Sequence, residues 1–371
     1  MKIAFISTVR GYHWAGSEEL WYETALRGLE TGHKVTAYIH QDFRSADQIN
    51  HLIVQGATVH TWRTLRFSRL WPLKEKIAPT FPVREFKNFD IILLSLGSLL
   101  DVLYVPGLLE ALRRSETPFV PFCQFNAEGL AFAPVQRAAL RELAGRSAGF
   151  GFVSHHNLEL AERQLAMKLP GARVIWNPIR VSLTQPLPWP NGQTVRLGCV
   201  ARLETMWKGQ DLLLEILSKP PWPSRDWTLS LFGEGPDLEH LKKAVKFYGL
   251  EKSVNFRGYV RDLQEIWRDH HLMVLPSRGE GLPLAILEAM MCGRPTVATD
   301  VGGNCEILED GVTGFIADTA TPVSFGRTLE RAWSERSRWQ QMGQTAHHRA
   351  QAMASTNPSQ KLLECLIERT A

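Results

Sequence analysis

The chain has 371 residues, of which 44% are hydrophobic, and a formal net charge of +4. This length allows a substantial core and favours two domains over one, while the small positive charge gives no reason to expect nucleic-acid binding. The five cysteines are scattered and form no C-x-x-C pair, which indicates free thiols in a reducing cytoplasm and argues against a disulfide framework or a zinc site.

The N-terminal half alternates short apolar runs with amphipathic stretches, which predicts parallel βαβ units. The expected strands are 3–7, 34–39, 91–95, 119–122, 149–153 and 173–175, and the expected helices begin at Ser17, Asp101 and His156. The first apolar run is too short for a signal peptide, and the longest near-apolar stretch, residues 91–100, is half the length of a bilayer span. We therefore expect a protein that is not integral to a membrane.

A polar, proline-rich stretch at residues 178–194 interrupts this alternation and predicts an interdomain linker. The pattern then restarts with strands 195–201, 228–232, 253–256, 272–275 and 296–298, helices 208–217, 236–247 and 283–292, and helical segments 323–354 and 359–368. We predict an N-terminal Rossmann-like domain (1–177), a C-terminal one (195–354) and a final helical segment (355–371) that returns to the N-terminal domain. In such an α/β protein the carboxyl ends of both doubly wound sheets would face a central cleft, where ligands bind.

The most informative motif runs from Glu280 to Glu288 and follows a predicted strand. Pro283 suits a first helical turn, so Glu280 lies in the loop and Glu288 about 1.4 turns into the helix. The N–H groups of Gly281 and Leu282 would then lie at the positive end of the helix, where a phosphate or sugar hydroxyls bind. Alternatively, Glu280 caps the helix and Glu288 is solvated, and spacing alone does not decide between the two.

A second pair of charged residues follows the strand 195–201, with Arg202 at its end and Lys208 at the start of the next predicted helix. Breaking a sugar–phosphate bond places charge on a nucleoside diphosphate, which a bidentate Arg and a Lys would stabilise. Alternatively, Arg202 and Lys208 are two surface cations that bind no ligand. Glycine turns at Gly16, Gly233 and Gly302 are weak signals, because such turns are more often structural.

Taken together, these motifs resemble the family-4 glycosyltransferases of the GT-B fold, a retaining family that uses nucleotide-diphosphate sugars. The resemblance covers most of the C-terminal domain, with ordered motifs at 201–209, 232–236, 256–260, 276–290, 293–303, 306 and 311–314. It implies hexosyl transfer to a glycan or lipid-linked glycan during assembly of a cell-surface polysaccharide or glycolipid. It also implies that neither a cofactor nor a metal is needed.

The resemblance also implies roles for individual residues. Arg202 and Lys208 would bind the donor diphosphate, and Glu280 would bind the donor sugar, so that these three form the catalytic set. Glu288 would bind the ribose, and Tyr259 would lie beside the nucleobase. The full set of expected donor-binding residues is Gly16, Gly233, Tyr259, Val260, Gly281, Leu282 and Glu288.

The N-terminal domain departs from the pattern of this family. The usual Gly-Gly of the first loop is Ala15-Gly16, and histidines that many members carry are missing from residues 90–95 and 124–126. An acceptor-side base is therefore unassigned, and Asn126 and Ser154 are the candidates for acceptor contacts. His13, His155 and His156 are further candidates by position, for which a structural role is the stronger reading.

The segment from Trp62 to Lys87 combines many basic residues with interleaved aromatic ones. Such a segment can dock on an anionic membrane surface, or it can form a solvated basic face whose aromatics pack inward. We expect a cytoplasmic enzyme that associates peripherally with the inner face of the membrane. The rival interpretations are a GT-B epimerase or hydrolase and a non-catalytic sugar-binding relative; a dehydrogenase is disfavoured because residues 11–16 lack G-x-G-x-x-G.

Overall fold

The computed structural model describes residues 1–11, 14, 16–63, 86–179, 181 and 183–370. It divides the chain into two compact units, Met1–Pro178 with Asn357–Ala371, and Ile179–Thr356. His13 and most of the basic, aromatic segment, residues 64–85, lie outside the described residues. Within the described part of the chain, no helix is both long enough and apolar enough to cross a membrane.

The N-terminal unit is built on a seven-stranded parallel sheet in the order β3-β2-β1-β4-β5-β6-β7. Its strands are β1 (Lys2–Ser7), β2 (Lys34–His40), β3 (Thr58–Trp62), β4 (Ile91–Ser98), β5 (Phe119–Phe125), β6 (Gly151–Phe152) and β7 (Arg173–Val174). Its helices are α1 (Glu19–Glu30), α2 (Asp47–Val54), α3 (Asp101–Tyr104), α4 (Leu108–Arg114), α5 (Pro134–Arg146) and α6 (His155–Leu165). The central strands β1 and β4 are apolar on both faces, as expected for a parallel sheet covered by helices on both sides.

The last helix, at Pro358–Glu368, packs against α1 and so belongs to the N-terminal unit. Just beyond this helix, the Arg369 guanidinium donates to the carbonyl oxygens of Ala148 and of Gly171, the latter at 2.6 Å. Gly149 leaves room for this guanidinium, because a Cβ there would lie 2.0 Å from its Nη1. The helix is thus fastened both by packing and by directed hydrogen bonds.

The C-terminal unit contains a six-stranded parallel sheet in the order β10-β9-β8-β11-β12-β13. Its strands are β8 (Val195–Val200), β9 (Trp227–Phe232), β10 (Val254–Gly258), β11 (Leu272–Leu275), β12 (Thr296–Thr299) and β13 (Gly314–Ala317). Its helices are α7 (Thr205–Lys208), α8 (Gln210–Leu217), α9 (Leu238–Phe247), α10 (Leu263–Arg268), α11 (Leu284–Met291), α12 (Asn304–Ile307), α13 (Pro322–Ser334) and α14 (Trp339–Ala354). The last helix of the chain, described above as part of the N-terminal unit, is α15 (Pro358–Glu368). Both units are therefore Rossmann-like α/β domains, which confirms the predicted fold class.

Two predicted helices of the C-terminal unit are wrong in detail. The helix expected at 208–217 begins at Gln210 as α8, and Lys208 is instead the last residue of α7, because Gly209 adopts a left-handed φ of +66° and ends α7. A Cβ at Gly209 would lie 2.1 Å from the Pro276 carbonyl oxygen, so only glycine fits this break. The long segment expected at 323–354 is also divided, since a 3₁₀ turn at Arg336–Arg338 separates α13 from α14.

The fully buried Arg294 binds the proline-rich stretch to the C-terminal unit. Its guanidinium donates to the carbonyl oxygens of Leu187 at 3.3 Å and Pro188 at 2.7 Å, and to that of Trp267 at the end of α10 at 2.9 Å. Burial lowers the pKa of Arg294 to about 10. The stretch predicted as a linker is therefore attached to this unit over part of its length.

Candidate functional site

The two motifs that the sequence singles out lie on neighbouring strands of the C-terminal unit. Arg202 and Lys208 follow β8, whereas Glu280 follows β11, and these strands are paired in parallel. Because parallel neighbours end at the same edge of a sheet, the two loops meet there. The fold thus brings together residues that are more than seventy positions apart in sequence.

The centre of the site is an ion pair between Lys208 and Glu280. The Lys208 Nζ lies 2.7 Å from Oε1 and 2.8 Å from Oε2 of Glu280, and the Ser277 hydroxyl donates to Oε1 at 2.7 Å. The Glu280 side chain is only 6% exposed, against 23% for Lys208. The sequence interpretation gave these two residues separate contacts, whereas the structure places them in direct contact.

The loop that carries Glu280 is held in place by Arg278, a residue for which sequence reasoning gave no role. The Arg278 guanidinium forms a bidentate ion pair with Asp211 of α8, at 2.8 and 2.9 Å, and also donates to the Thr205 carbonyl at 2.6 Å. Its backbone N–H donates to the Trp207 carbonyl at 2.7 Å. These bonds fix the Glu280 loop to α7, the short helix that ends at Lys208.

Gly302 allows a second close approach to this loop. Its φ is +53°, and a Cβ there would lie 2.4 Å from the Glu280 carbonyl oxygen. The next residue, Gly303, donates its N–H to the Gly281 carbonyl at 2.8 Å. Gly233 has a similar reason to be glycine, since its Cβ would lie 2.2 Å from the Ala201 carbonyl oxygen. Backbone packing therefore accounts for both glycines without a ligand.

The other predicted donor-binding residues differ in their exposure and in the elements that carry them. Arg202 is partly exposed, with its Nη1 3.6 Å from Glu204. Gly281 and Leu282 are buried, and Pro283 is the N-cap of α11 and not a residue of its first turn, so Glu288 is the fifth residue of that helix and is half-buried. Among the described residues, no cluster of three or more His, Cys, Asp or Glu side chains could hold a metal ion.

Tyr259 and Val260 follow β10, the edge strand of the same sheet. Two strands separate β10 from β11, which corresponds to a lateral distance of about 14 Å at the usual strand spacing. Tyr259 is 72% exposed and Val260 is half-buried. The structure therefore does not bring them into contact with Glu280, and a single ligand touching both would have to be extended.

In the N-terminal unit, the predicted acceptor residues are buried and hydrogen-bonded. Asn126 donates to the Gln164 side chain at 2.9 Å, and the Ser154 hydroxyl accepts the Asn157 N–H at 3.2 Å as the N-cap of α6. These contacts give Ser154 a structural role. Gly16 is exposed at the start of the 3₁₀ turn that precedes α1.

A residue that sequence reasoning missed in this unit is Glu18, whose side chain is fully buried. One carboxylate oxygen accepts the Ser7 hydroxyl at 2.5 Å and the Trp21 indole N–H at 2.8 Å. The other oxygen has no hydrogen-bond partner in the described residues. Burial raises the pKa of Glu18 from 4.5 to about 7. In sequence it is an ordinary acid before a helix, so nothing signalled its burial.

The raised pKa of Glu18 predicts a pH-dependent stability. The folded state holds this proton more tightly than the unfolded chain, so the stabilisation is complete below pH 4.5 and is lost as pH rises through 7. The Glu18→Gln side chain stays neutral at every pH. The free energy of unfolding of this variant should exceed that of the wild type by up to about 3 kcal/mol at pH 8 and should equal it at pH 4.5. Hydrogen exchange of peptides from β1 and α1 measures this difference. Glu30→Gln, at the exposed end of α1, is the control; an equal effect of Glu18→Gln at both pH values would contradict the prediction.

The sequence of the C-terminal unit matches a known family. Residues 194–335 match the family model described as Glycosyl transferases group 1. The chain is 28% identical over 323 residues, 82% of each protein, to the GDP-mannose-dependent alpha-(1-6)-phosphatidylinositol monomannoside mannosyltransferase of Mycolicibacterium smegmatis. It is also 33% identical to mannosylfructose-phosphate synthase of Agrobacterium fabrum, over 44% of this chain and 38% of that enzyme. Five other curated relatives are 32–34% identical to this chain, but each match covers only about a third or less of the relative's length.

Solved structures match the chain over nearly its whole length. Anabaena HepE in complex with UDP-glucose has a TM-score of 0.71 at 21% identity, covering 99% of this chain and 100% of that one. The lipopolysaccharide outer core galactosyltransferase WaaB, in its apo form, has a TM-score of 0.71 at 17% identity and covers 100% of both chains. This likeness confirms the GT-B fold.

Proposed function

Because residues 194–335 match the family model described as Glycosyl transferases group 1, we propose that this chain is a retaining glycosyltransferase that uses a nucleotide-diphosphate sugar. It would transfer a hexosyl-type sugar to a glycan or lipid-linked glycan in polysaccharide or glycolipid assembly. The observation that carries the proposal is the Lys208–Glu280–Ser277 cluster, which lies where the paired strands β8 and β11 end.

Arg202, Lys208 and Glu280 each have a role that their chemistry favours. Arg202 and Lys208 would neutralise the diphosphate as the bond between the sugar C1 and the phosphate oxygen breaks and its electron pair passes to that oxygen. The Glu280 carboxylate would accept hydrogen bonds from hydroxyls of the donor sugar. The acceptor hydroxyl would attack C1 from the face the phosphate leaves and give its proton to the phosphate, so that no protein base is required.

The ion pair suggests how Lys208 could contact both Glu280, which would hold the donor sugar, and the diphosphate of the donor. An ammonium group has three N–H donors, and two of them account for the contacts with the Glu280 oxygens. The third would bind a phosphate oxygen when the donor arrives. Lys208 would then link the group that holds the sugar to the group that leaves, which gives the contact between Lys208 and Glu280 a function.

The donor is the first question to test. A thermal-shift screen with UDP-, GDP-, ADP- and dTDP-sugars should raise the melting temperature for one nucleotide class, because a ligand at a hundred times its Kd stabilises the native state by about 2.7 kcal/mol. The shift should shrink in Arg202→Ala and persist in Arg327→Ala, an exposed arginine on α13. If none of the four classes shifts the melting temperature, a donor of these four classes is ruled out.

An epimerase or hydrolase of the same fold is the second candidate, since the same cluster would bind a nucleotide-sugar in either case. A transferase forms nucleoside diphosphate only when an acceptor is present, so release without acceptor would favour the second candidate. We place the enzyme in the cytoplasm, at the membrane face when its acceptor is lipid-linked. Fractionation of cells that express a tagged chain tests this location.

A further inference from the structure

The C-terminal unit has a groove of about 630 Å³ on one face of β8, β9 and β10. None of the residues proposed for donor binding lines it. The lining residues that matter here are Arg196, Thr228, Ser230, Asn255, Arg257, Arg268 and Asp269.

The floor of the groove is a polar sheet face. Along β9, Thr228 and Ser230 alternate with Leu229 and Leu231, and only the leucines belong to the hydrophobic core. Parallel sheets are normally covered by apolar contacts on both faces, so an open polar face is unusual. The helix α10 covers the neighbouring part, where a Cβ at Gly198 would lie 3.1 Å from the Trp267 ring. The groove begins where this helix ends.

The groove carries an excess of positive charge. Three arginines, Arg196, Arg257 and Arg268, face a single carboxylate, Asp269, which gives a formal charge of +2. The guanidinium groups of Arg257 and Arg268 form no hydrogen bond or ion pair with other described residues, unlike that of Arg225, which pairs with Glu330 at 2.7 Å. Ion pairs within the protein therefore do not explain why these arginines lie together in the groove.

The third arginine is already oriented. Arg196 donates to the backbone carbonyl oxygens of Asn191, at 2.8 Å, and Asp269, so its charge is held in place without being neutralised by a carboxylate. The wall at Pro188 is fixed in turn by Arg294. A site with fixed walls loses less entropy when a ligand binds.

The floor also offers hydrogen-bonding groups that the protein does not use. Ser230 is 8% exposed, and neither its hydroxyl nor the side chains of Thr228 and Asn255 make a hydrogen bond within the described ranges. Hydroxyl and amide groups beside arginines are the combination that binds a phosphate on a polyol. The volume is that of a small-molecule site.

We propose that this groove binds a phosphate ester, with the phosphate held by Arg196, Arg257 and Arg268 and the attached polyol by Thr228, Ser230 and Asn255. The site is separate from the proposed donor site and would exist whether or not the chain is a transferase. Its ligand is either a soluble phosphate ester or the headgroup of a phospholipid, which share this chemistry.

Calorimetric titration with inorganic pyrophosphate tests the groove in the full-length Arg202→Ala variant, which removes one cation of the donor site. Adding Arg257→Ala and Arg268→Ala should weaken binding at least tenfold, because each removes a charged hydrogen bond. The matched control adds Arg327→Ala and Lys246→Ala, exposed cations on other helices of the same unit, and should change the affinity less than twofold. Circular dichroism checks that each variant is folded.

Two outcomes would overturn the proposal: an Arg202→Ala chain that binds no pyrophosphate, or equal weakening in the groove and control variants. Flotation with vesicles containing phosphatidylglycerol, whose headgroup joins a phosphate to a polyol, then identifies the source of the ligand. If the Arg257→Ala and Arg268→Ala variant loses flotation and the control retains it, the ligand is a lipid headgroup; if both float equally, it is a soluble phosphate ester. A failed donor screen with a positive groove titration would contradict the proposed function alone.

Discussion

Glu280→Gln should reduce sugar transfer by about a hundredfold to a thousandfold while leaving nucleoside diphosphate binding measurable. Glutamine keeps the shape of the side chain but removes the charge that Lys208 and Ser277 orient. An amide is a weaker acceptor for the hydroxyls of the donor sugar, whose contacts must strengthen as C1 loses its bond to phosphate. Steady-state kinetics with a defined donor and acceptor measure transfer, and calorimetry measures binding of the nucleotide product.

The matched control for this variant is Glu330→Gln. Glu330 also forms a bidentate ion pair, with Arg225, in the same unit and away from the Glu280 loop. The Glu330→Gln substitution should alter the stability of the protein slightly and leave kcat/KM unchanged within twofold. Undiminished transfer in Glu280→Gln would refute the role assigned to this carboxylate, whereas equal loss in both variants would point to a general effect of breaking an ion pair.

Lys208→Met should weaken both nucleotide binding and transfer, with a loss of kcat/KM of about a hundredfold or more. Methionine keeps the apolar stem but removes the ammonium that pairs with Glu280 and is proposed to contact the diphosphate. The variant should also lose about 1–3 kcal/mol of stability, because it leaves a buried carboxylate without its cation. Kinetics, calorimetry and urea unfolding measure the three effects.

A double-mutant cycle with Glu280→Gln separates the two functions of Lys208. In the glutamine background the stability cost of Lys208→Met should nearly vanish, because no charge is left to neutralise, while the loss of nucleotide affinity should remain. If the affinity loss vanished as well, Lys208 would act only through Glu280. Unchanged nucleotide affinity in Lys208→Met itself would show that the diphosphate is bound elsewhere.

Much of the architecture follows from the sequence because local patterns determine it. The strand 272–275 was predicted with its observed bounds, and the Glu280 loop lies before α11, since an apolar run followed by a Gly-Leu-Pro turn has few alternative structures. The short strand β13 was missed, because four residues after a glycine turn carry too little periodic signal. The break at Gly209 was missed because the need for glycine comes from Pro276, which is distant in sequence.

The chemistry of the site was predictable only in part. Residue types and order pointed to Arg202, Lys208 and Glu280, but the direct contact of Lys208 with Glu280 depends on the pairing of β8 with β11. The anchoring role of Arg278 depends in the same way on α8, which supplies Asp211. Tertiary contacts of this kind leave no periodic trace in a single sequence.

The attachment of α15 to α1 has a consequence for how the chain folds as it is made. The N-terminal unit lacks this helix until the ribosome has translated the whole C-terminal unit. The surface of α1 that α15 covers, and the carbonyls that Arg369 binds, stay uncovered during that interval. The C-terminal unit is continuous in sequence and can finish folding first. The first unit to begin folding is therefore the last to be completed.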